Sequence, residues 1–243
     1  MVGLLINHGS KVNEIDIYGK IALHYAAECN DEKVVQLLIS HGSNINAVDN
    51  EKNTALHYAC HGQDSVMAEL LISHGINLNV RNKYGLIALH IAMDLFNHEL
   101  IKILISNGAN VNKKDPDLKT PLHYIQSEDI MSLLISKGGD INAKDKYNKT
   151  PLHYAVYNNQ KDIVELFVSH GSDLNAKDND LRTALHIAAM NNNIEIINLL
   201  IFHGADVKSK DRFDKTYLNY GLFEEEEEEK DDNTNYDSSS SSY

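Results

Sequence analysis

The sequence predicts an all-α solenoid in which helix–turn–helix units stack side by side and are joined by finger loops of β-hairpin-like shape. Three observations carry this. The pair Leu-His recurs as Leu23-His24, Leu56-His57, Leu89-His90, Leu122-His123, Leu152-His153 and Leu185-His186, with Leu218-Asn219 as a degenerate seventh copy, at steps of 33, 33, 33, 30, 33 and 33 residues. A glycine recurs at positions 9, 42, 75, 108, 138, 171 and 204 with the same steps. Ahead of each glycine stands a one-sided apolar stripe, such as Val34, Val35, Leu37, Leu38 and Ile39 before Gly42. Two markers sharing one period mean a repeated unit that buries its apolar face only against its neighbours.

Each unit reads in the same order. Thr54, Thr120, Thr150 and Thr183 stand where a hydroxyl caps the free N–H groups of a first helix, A, and Pro121 and Pro151 follow at the position that tolerates a missing N–H. Asn30, Asn159 and Asn192 occupy the break after helix A, where a left-handed residue is needed. Helix B carries the apolar stripe and ends at the glycine, a C-cap. The Asn- and Asp-rich segment that follows, such as residues 44–49, suits a turn leading into the finger. The array is expected over residues 1–221: a partial unit at 1–15, repeats near 16–48, 49–81, 82–114, 115–144, 145–177 and 178–210, and a partial unit at 211–221.

Departures from the pattern are informative. Ile21 and Ile87 replace the capping threonine, a loss of about 1 kcal/mol at each helix start. Lys52, Leu118, Asn148, Leu181 and Asp214 stand where Gly19 and Gly85 mark a finger glycine. The fourth unit is three residues short between His123 and Gly138, so its helix A and inter-helix turn are expected to be truncated. Met1 sits at a helix B position, which reads as a fragment of a longer array or a partial N-terminal cap.

Composition agrees with a folded body. The 243 residues hold 22 Lys and Arg against 35 Asp and Glu, a formal net charge of −13, with 42% hydrophobic and 23% charged residues. Collagen, coiled coil and wholesale disorder are excluded. Apolar runs such as Leu70-Leu71-Ile72 are far shorter than the roughly twenty residues a membrane span needs, and no secretory signal is visible. Two cysteines do not staple a chain of this size and point to a reducing, intracellular, cytoplasmic setting. Residues 222–243 hold nine acids and one base, for a net of −8, and include serines at 238–242. Such a segment repels itself and is expected to be a disordered tail.

The unit resembles the ankyrin repeat, from Met1 to about Gly221. The family's motif appears as Thr150-Pro151-Leu152-His153-Tyr154-Ala155, and with Ala for Pro as Thr54-Ala55-Leu56-His57-Tyr58-Ala59 and Thr183-Ala184-Leu185-His186-Ile187-Ala188. Its closing segment appears as Gly108-Ala109-Asn110-Val111-Asn112. The resemblance implies binding residues at the finger tips and helix A ends: Tyr18, Glu51, Lys83, Tyr84, Asp117, Lys119, Lys146, Tyr147, Asp180, Arg182, Arg212 and Phe213 on the fingers, and Glu28, His61, Asp94, Leu95, Tyr157, Met190 and Asn191 at the helix ends. Asn13, Asn46, Asn79, Asn112, Asn142 and Asn175 recur at a position hydroxylated in some ankyrin proteins, and read here as turn formers.

Thirteen histidines invite a metal site, but eleven are accounted for by two repeat positions, the motif position and the residue before the closing glycine. Equivalent residues in stacked layers lie about 8–10 Å apart, whereas zinc ligands converge within about 2.1 Å of one ion. The motif histidines are therefore expected to bond backbone in neighbouring turns, and the others to complement helix C-termini. No phosphate loop, nucleophile elbow or Cys-x-x-Cys is present. Cys60 reads as a packed thiol, and a Cys–His61 nucleophile lacks an orienting partner. No catalytic residue, metal, cofactor or small-molecule substrate is expected, and the acidic balance argues against nucleic acid. The leading expectation is a non-catalytic scaffold or adaptor that binds another protein or peptide along its concave face. The alternative is a recruiting arm or fragment of a larger multidomain protein whose enzymatic or membrane part lies elsewhere. The cations at 83, 119, 146, 149, 182, 212 and 215 are expected to make the finger rim locally basic, so that the acidic tail competes there with an acidic partner segment.

Overall fold

The computed structural model describes residues 11–220. The readings placed on Met1 and on the glycine at 9, and on the acidic tail, lie outside the described residues.

The chain runs as pairs of antiparallel helices: α1 (Ala22–Glu28) with α2 (Glu32–Ser40), α3 (Ala55–His61) with α4 (Ser65–Ser73), and α5 (Ala88–Asp94) with α6 (His98–Ser106). A 3₁₀ turn (Pro121–Tyr124) is paired with α7 (Glu128–Ser136). Then come α8 (Pro151–Tyr157) with α9 (Lys161–Ser169), α10 (Ala184–Met190) with α11 (Ile194–Phe202), and a closing 3₁₀ turn (Tyr217–Asn219). Successive A helices pack on one another, as do successive B helices. None of the described residues forms a strand. One apolar cluster runs through all the pairs, with Leu23, Leu56, Leu89, Leu122, Leu152 and Leu185 of the repeated motif each about 1% exposed or less. Because each residue of the cluster is completed by the next unit, no helix pair owns a core of its own.

The expected left-handed breaks are present: Asn30, Asn159 and Asn192 have φ near +55°, and Gln63 and Phe96 take the same conformation in the other full-length pairs. The finger position is left-handed too, even where a side chain must bear it, as at Leu118 (φ 60°) and Leu181 (φ 59°). Gly85 is retained there for a visible reason, since a Cβ would lie 3.2 Å from Pro116.

The motif histidines join the units. In all six, Nδ1 accepts the backbone N–H of the residue three before it, at 3.0–3.2 Å. That residue is the helix N-cap, so the imidazole satisfies a donor that the helix leaves open. With Nδ1 an acceptor, the neutral ring carries its proton on Nε2, and Nε2 donates to a carbonyl at 2.8–3.3 Å, in the following unit for His57, His123, His153 and His186 and in the segment that closes its own unit for His24 (Ala47) and His90 (Lys113). Where the cap is threonine, its hydroxyl meets the same Nδ1, as Thr54 does at 2.9 Å. Ile21 and Ile87 lose that hydroxyl contact yet keep the N–H bond, so they do not break the motif. Of the histidines at helix ends, His41, His74 and His170 bond the carbonyl four residues back at 2.8 Å, as expected.

Two further ladders run along the stack. The recurrent asparagines tie turn to turn: the side-chain oxygens of Asn13, Asn46, Asn79, Asn112, Asn142 and Asn175 each accept a backbone N–H of the next unit at 2.7–2.9 Å. Fingers are tied by backbone bonds from Asn50 to Tyr18, Lys83 to Glu51, Lys146 to Asp117, Asn179 to Tyr147 and Arg212 to Asp180, all at 2.7–3.0 Å. One rung is absent from this series. The residue that would donate to Tyr84 is Pro116, which has no N–H. Arg81 bridges that gap with its guanidinium, donating to the Gly85 and Lys114 carbonyls at 2.9 and 2.6 Å.

The missing rung stands at the start of the short unit, where four 3₁₀ residues replace the seven of every other full helix A. Its α7 also lacks the side-chain N-cap that Asp31, Asp64, Asn97 and Asn193 supply elsewhere. Gly139 packs so closely that a Cβ would meet Leu134 O at 2.9 Å. With a rung, a cap and a turn of helix lost at one place, coupling between the halves is weakest there. Equilibrium unfolding should therefore show two transitions, and amide exchange should be fastest across residues 125–130. A single transition with uniform protection would contradict this.

Acid should weaken the histidine bridges. Burial, set against the backbone bonds each ring makes, holds His24, His57, His90, His123 and His153 below the ordinary histidine value. A base depressed in the folded state takes up its proton more readily when unfolded. Its contribution is complete above the unfolded value of about 6.5 and is lost as pH falls from there toward the folded values. The melting temperature should fall across that window, and imidazole NMR titrations should place these five below the ordinary histidine value. Titration at or above it would refute the assignment.

Candidate functional site

The fingers and the ends of the A helices border one continuous face, and its chemistry is set by a pairing that recurs down the array. Each finger opens with an acid whose carboxylate closes the turn, as Asp49 Oδ1 does by accepting the N–H groups of Glu51 and Asn53 at 2.8 and 2.7 Å. Its second oxygen accepts a tyrosine hydroxyl nine residues on: Tyr25 to Asp16 and Tyr58 to Asp49 at 2.5 Å, Tyr154 to Asp145 at 2.6 Å, and likewise Tyr124 to Asp115 and Tyr220 to Asp211. Burial and this bond push the Tyr58 hydroxyl up to about 12. In Asp49, burial is outweighed by the bonds from Tyr58 and Asn53, which hold the carboxyl below its ordinary value.

Two units have isoleucine in place of the tyrosine, and both compensate. Opposite Ile91 the acid is replaced by Asn82, uncharged, with its amide donating to Asn53 Oδ1 at 3.1 Å. Opposite Ile187 the acid is Asp178, whose second oxygen takes Arg182 through Nε at 3.1 Å and Nη2 at 2.9 Å.

The tyrosines and neighbouring lysines build a cleft of about 530 Å³ near the N-terminal end of this face. Lys20 Nζ lies 4.8 Å from the Tyr25 ring centre and 4.2 Å from that of Tyr58, and 2.9 Å from Glu28. Burial alone would lower the Lys20 ammonium, but Glu28 and Tyr58 overcome it and raise it. A second cleft of about 250 Å³, bordered by His61, Ile91, Asp94, Leu95 and Tyr124, opens beside the short unit. Lys119 Nζ stands 5.3 and 4.5 Å from the rings of Tyr124 and Tyr154.

The expected finger residues are brought to one side. Tyr18, Tyr84, Tyr147 and Phe213 are 61, 54, 48 and 65% exposed. They are not packed away against the next finger. Instead the preceding residue covers three of them, with Lys83, Lys146 and Arg212 lying 4.9, 4.9 and 5.2 Å from the centres of Tyr84, Tyr147 and Phe213. The basic rim takes a different form from the one expected. Four of its cations are matched with acids: Lys83 with Glu51, Lys146 with Asp117 and Arg212 with Asp180 of the preceding unit, while Arg182 holds Asp178 and Asp180. Lys119, Lys149 and Lys215 lie instead over the rings of Tyr124, Tyr154 and Tyr220.

Among the helix-end residues, Tyr157 and Met190 are 66 and 45% exposed. His61 and Asp94 are exposed, and Leu95 is half-buried. Asn191 is engaged within the fold, its amide donating to the Val156 and Tyr157 carbonyls at 3.1 and 3.0 Å. Cys60 is fully buried and burial pushes its thiol well up, so it has no nucleophilic character to pair with His61. Cys29 is exposed. Among the described residues no cluster of His, Cys, Asp and Glu has the geometry of a metal site, and no helix is long and apolar enough to cross a membrane. Reasoning from the sequence missed Lys20, Tyr25, Tyr58, Tyr124 and Tyr154. The signal that finds them is the Asp-x8-Tyr spacing, repeated five times.

Comparison with known proteins agrees with this architecture. The sequence matches the family model for ankyrin repeats (3 copies) over residues 43–115, 89–178 and 124–211, and the ankyrin repeat model over residues 18–50. Among solved structures it is similar to the ankyrin repeat domain of human ASB11, with a TM-score of 0.70 and 25% sequence identity, over 84% of this chain and 93% of that one. No curated protein matches the sequence.

The exchange between tyrosine and arginine is directly testable. Arg182→Ala leaves the Asp178 carboxylate, 1% exposed, without its cation and should cost about 2 kcal/mol. Arg212→Ala breaks a pair that is 57 and 34% exposed and should cost less than about 1 kcal/mol. Adding Ile187→Tyr to Arg182→Ala should restore most of the loss, because the hydroxyl then reaches Asp178 as in five other units. Thermal melts that show no rescue would overturn the equivalence.

Proposed function

The chain belongs to the ankyrin repeat family, whose repeats are protein-interaction modules, and on that premise we propose that it is a non-catalytic intracellular scaffold or adaptor holding a partner protein or peptide along the concave side of its fingers. The observation that supports this most is the row of exposed rings at one finger position, Tyr18, Tyr84, Tyr147 and Phe213. The fold asks nothing of them: finger spacing is kept by backbone bonds, and the core lies beneath the A helices. Large, rigid rings beside Arg and Lys are the side chains that anchor protein interfaces at low entropic cost. Tyr157 and Met190 add apolar area at the helix ends. The matched finger charges favour a protein surface with both signs of charge over a phosphate backbone, which needs unmatched cations.

Affinity capture with the whole chain, followed by binding measurements on the partner recovered, tests the reading. Tyr84→Ala with Tyr147→Ala should weaken that partner at least about tenfold while leaving the melting temperature within about 2 °C, since both rings are exposed. Substituting Glu69 and Lys102, exposed on the B helices, should leave binding unchanged. Binding that ignores the finger rings and depends on the B helices would reject the concave side as the partner site.

A further inference from the structure

One edge of the array carries a row of positive charge, most of it outside any ion pair. The residue immediately before the finger Asp or Asn is basic in five successive units: Arg81, Lys114, Lys144, Lys177 and Lys210. Three of these side chains lie along the stack, with Arg81 donating to Lys114 O at 2.6 Å, Lys114 to Lys144 O at 3.0 Å and Lys177 to Lys210 O at 3.2 Å. The cations therefore form a row at the repeat spacing of about 8–10 Å. Among the described residues, no carboxylate stands within ion-pair distance of Arg81, Lys114, Lys144 or Lys177, and only Lys210 has one, Asp214 at 2.8 Å. The acids of the adjoining turn row, Asp140, Asp173 and Asp206, direct a carboxylate oxygen to the backbone N–H groups of Asn142, Asn175 and Lys208. This row differs from the finger positions at 83, 146, 182 and 212, where each base already has an acid.

We propose that the row from Lys144 to Lys210 is a docking track for the chain's own glutamates at 224–229. Position, length and charge all support this occupant. The last described residue, Tyr220, is hydrogen-bonded to Asp211, the neighbour of Lys210, so the segment leaves the repeats at one end of the track. The glutamate run starts four residues later. Six extended residues span about 20 Å, against about 16–20 Å for the two repeat steps that separate Lys210 from Lys144. The segment carries a net charge of −8 and is tethered, so its effective concentration at the track is on the order of millimolar. Docking there neutralises the unmatched row and keeps other polyanions from it. The finger bases Lys83, Lys146, Arg182 and Arg212, already paired, offer the glutamates much less. This inference concerns a different edge from the partner face and does not depend on it.

Paramagnetic relaxation in the full chain tests the proposal without any partner. A nitroxide is attached at Thr234→Cys in a Cys29→Ser background; Cys60, being fully buried, stays unlabelled. At low salt the amide signals of Lys144 and Lys177 should lose most of their intensity. The loss should vanish near 1 M salt, where the screening length is about 3 Å, and in a variant with glutamine at all six positions 224–229. Lys144→Glu with Lys177→Glu should also abolish it, with a thermal melt to confirm folding. If that pair fails to fold, the glutamine variant still decides the question. No attenuation at low salt, attenuation centred on Lys83, Lys146 and Arg212, or attenuation unchanged in the glutamine variant would each overturn the docking track.

Discussion

Everything in this array hangs on a neutral imidazole that bonds in two directions. In each of six units a histidine takes the N–H left open at its own helix start and gives its proton to a carbonyl beyond helix B, in four of the six on the next unit. No other side chain of that size offers an acceptor and a donor on opposite sides of a rigid ring. One residue therefore both starts a helix and fixes the distance to its neighbour. The degenerate seventh copy illustrates the division of labour. Asn219 replaces histidine there and still caps the Thr216 N–H at 2.9 Å. Its side chain accounts for the local half of the histidine's role.

Once that spacing is fixed, the rest of the surface falls into register. Equivalent residues meet their counterparts one unit away, so any donor–acceptor or acid–base match between neighbouring positions is copied along the stack. The asparagine turns, the finger backbone rungs and the finger ion pairs are all products of this translation. The same rule makes defects local. Pro116 removes one rung and the short fourth unit removes part of one helix, and the neighbouring bonds continue on both sides. Arg81 partly substitutes for the rung by reaching across with a side chain.

The pairing of finger acid and tyrosine shows how much freedom the surface retains. An acid that closes the finger turn has one oxygen left over, and three solutions coexist in one chain: a tyrosine hydroxyl, an arginine fork, or removal of the charge altogether at Asn82. The face is thus held by different chemistry in different units while the backbone stays the same. The exposed rings at Tyr18, Tyr84, Tyr147 and Phe213 stand outside this acid–tyrosine pairing. The clefts beside Lys20 and Tyr124 come from irregularity rather than repetition, one at the N-terminal end and one at the short unit.

The sequence alone determined the period, the order of elements within a unit, the left-handed breaks and the position of the defect. Each of these is a local matter: a capping threonine, an apolar stripe of period 3.6, an asparagine or glycine at positive φ, and three missing residues. The structural role of the motif histidines was legible too, because their spacing ruled out a shared metal. What only the tertiary structure decided is which side chains meet across units. The pairing of Lys83 with Glu51, 32 residues apart, and the burial of Lys20 between two tyrosines depend on the angle and rise of the stack, which no single unit encodes. So three of the finger cations, countable in the sequence as part of a basic rim, met acids one layer away. The Arg81 to Lys210 row, whose residues lie about thirty positions apart, became a single edge only when the helices packed.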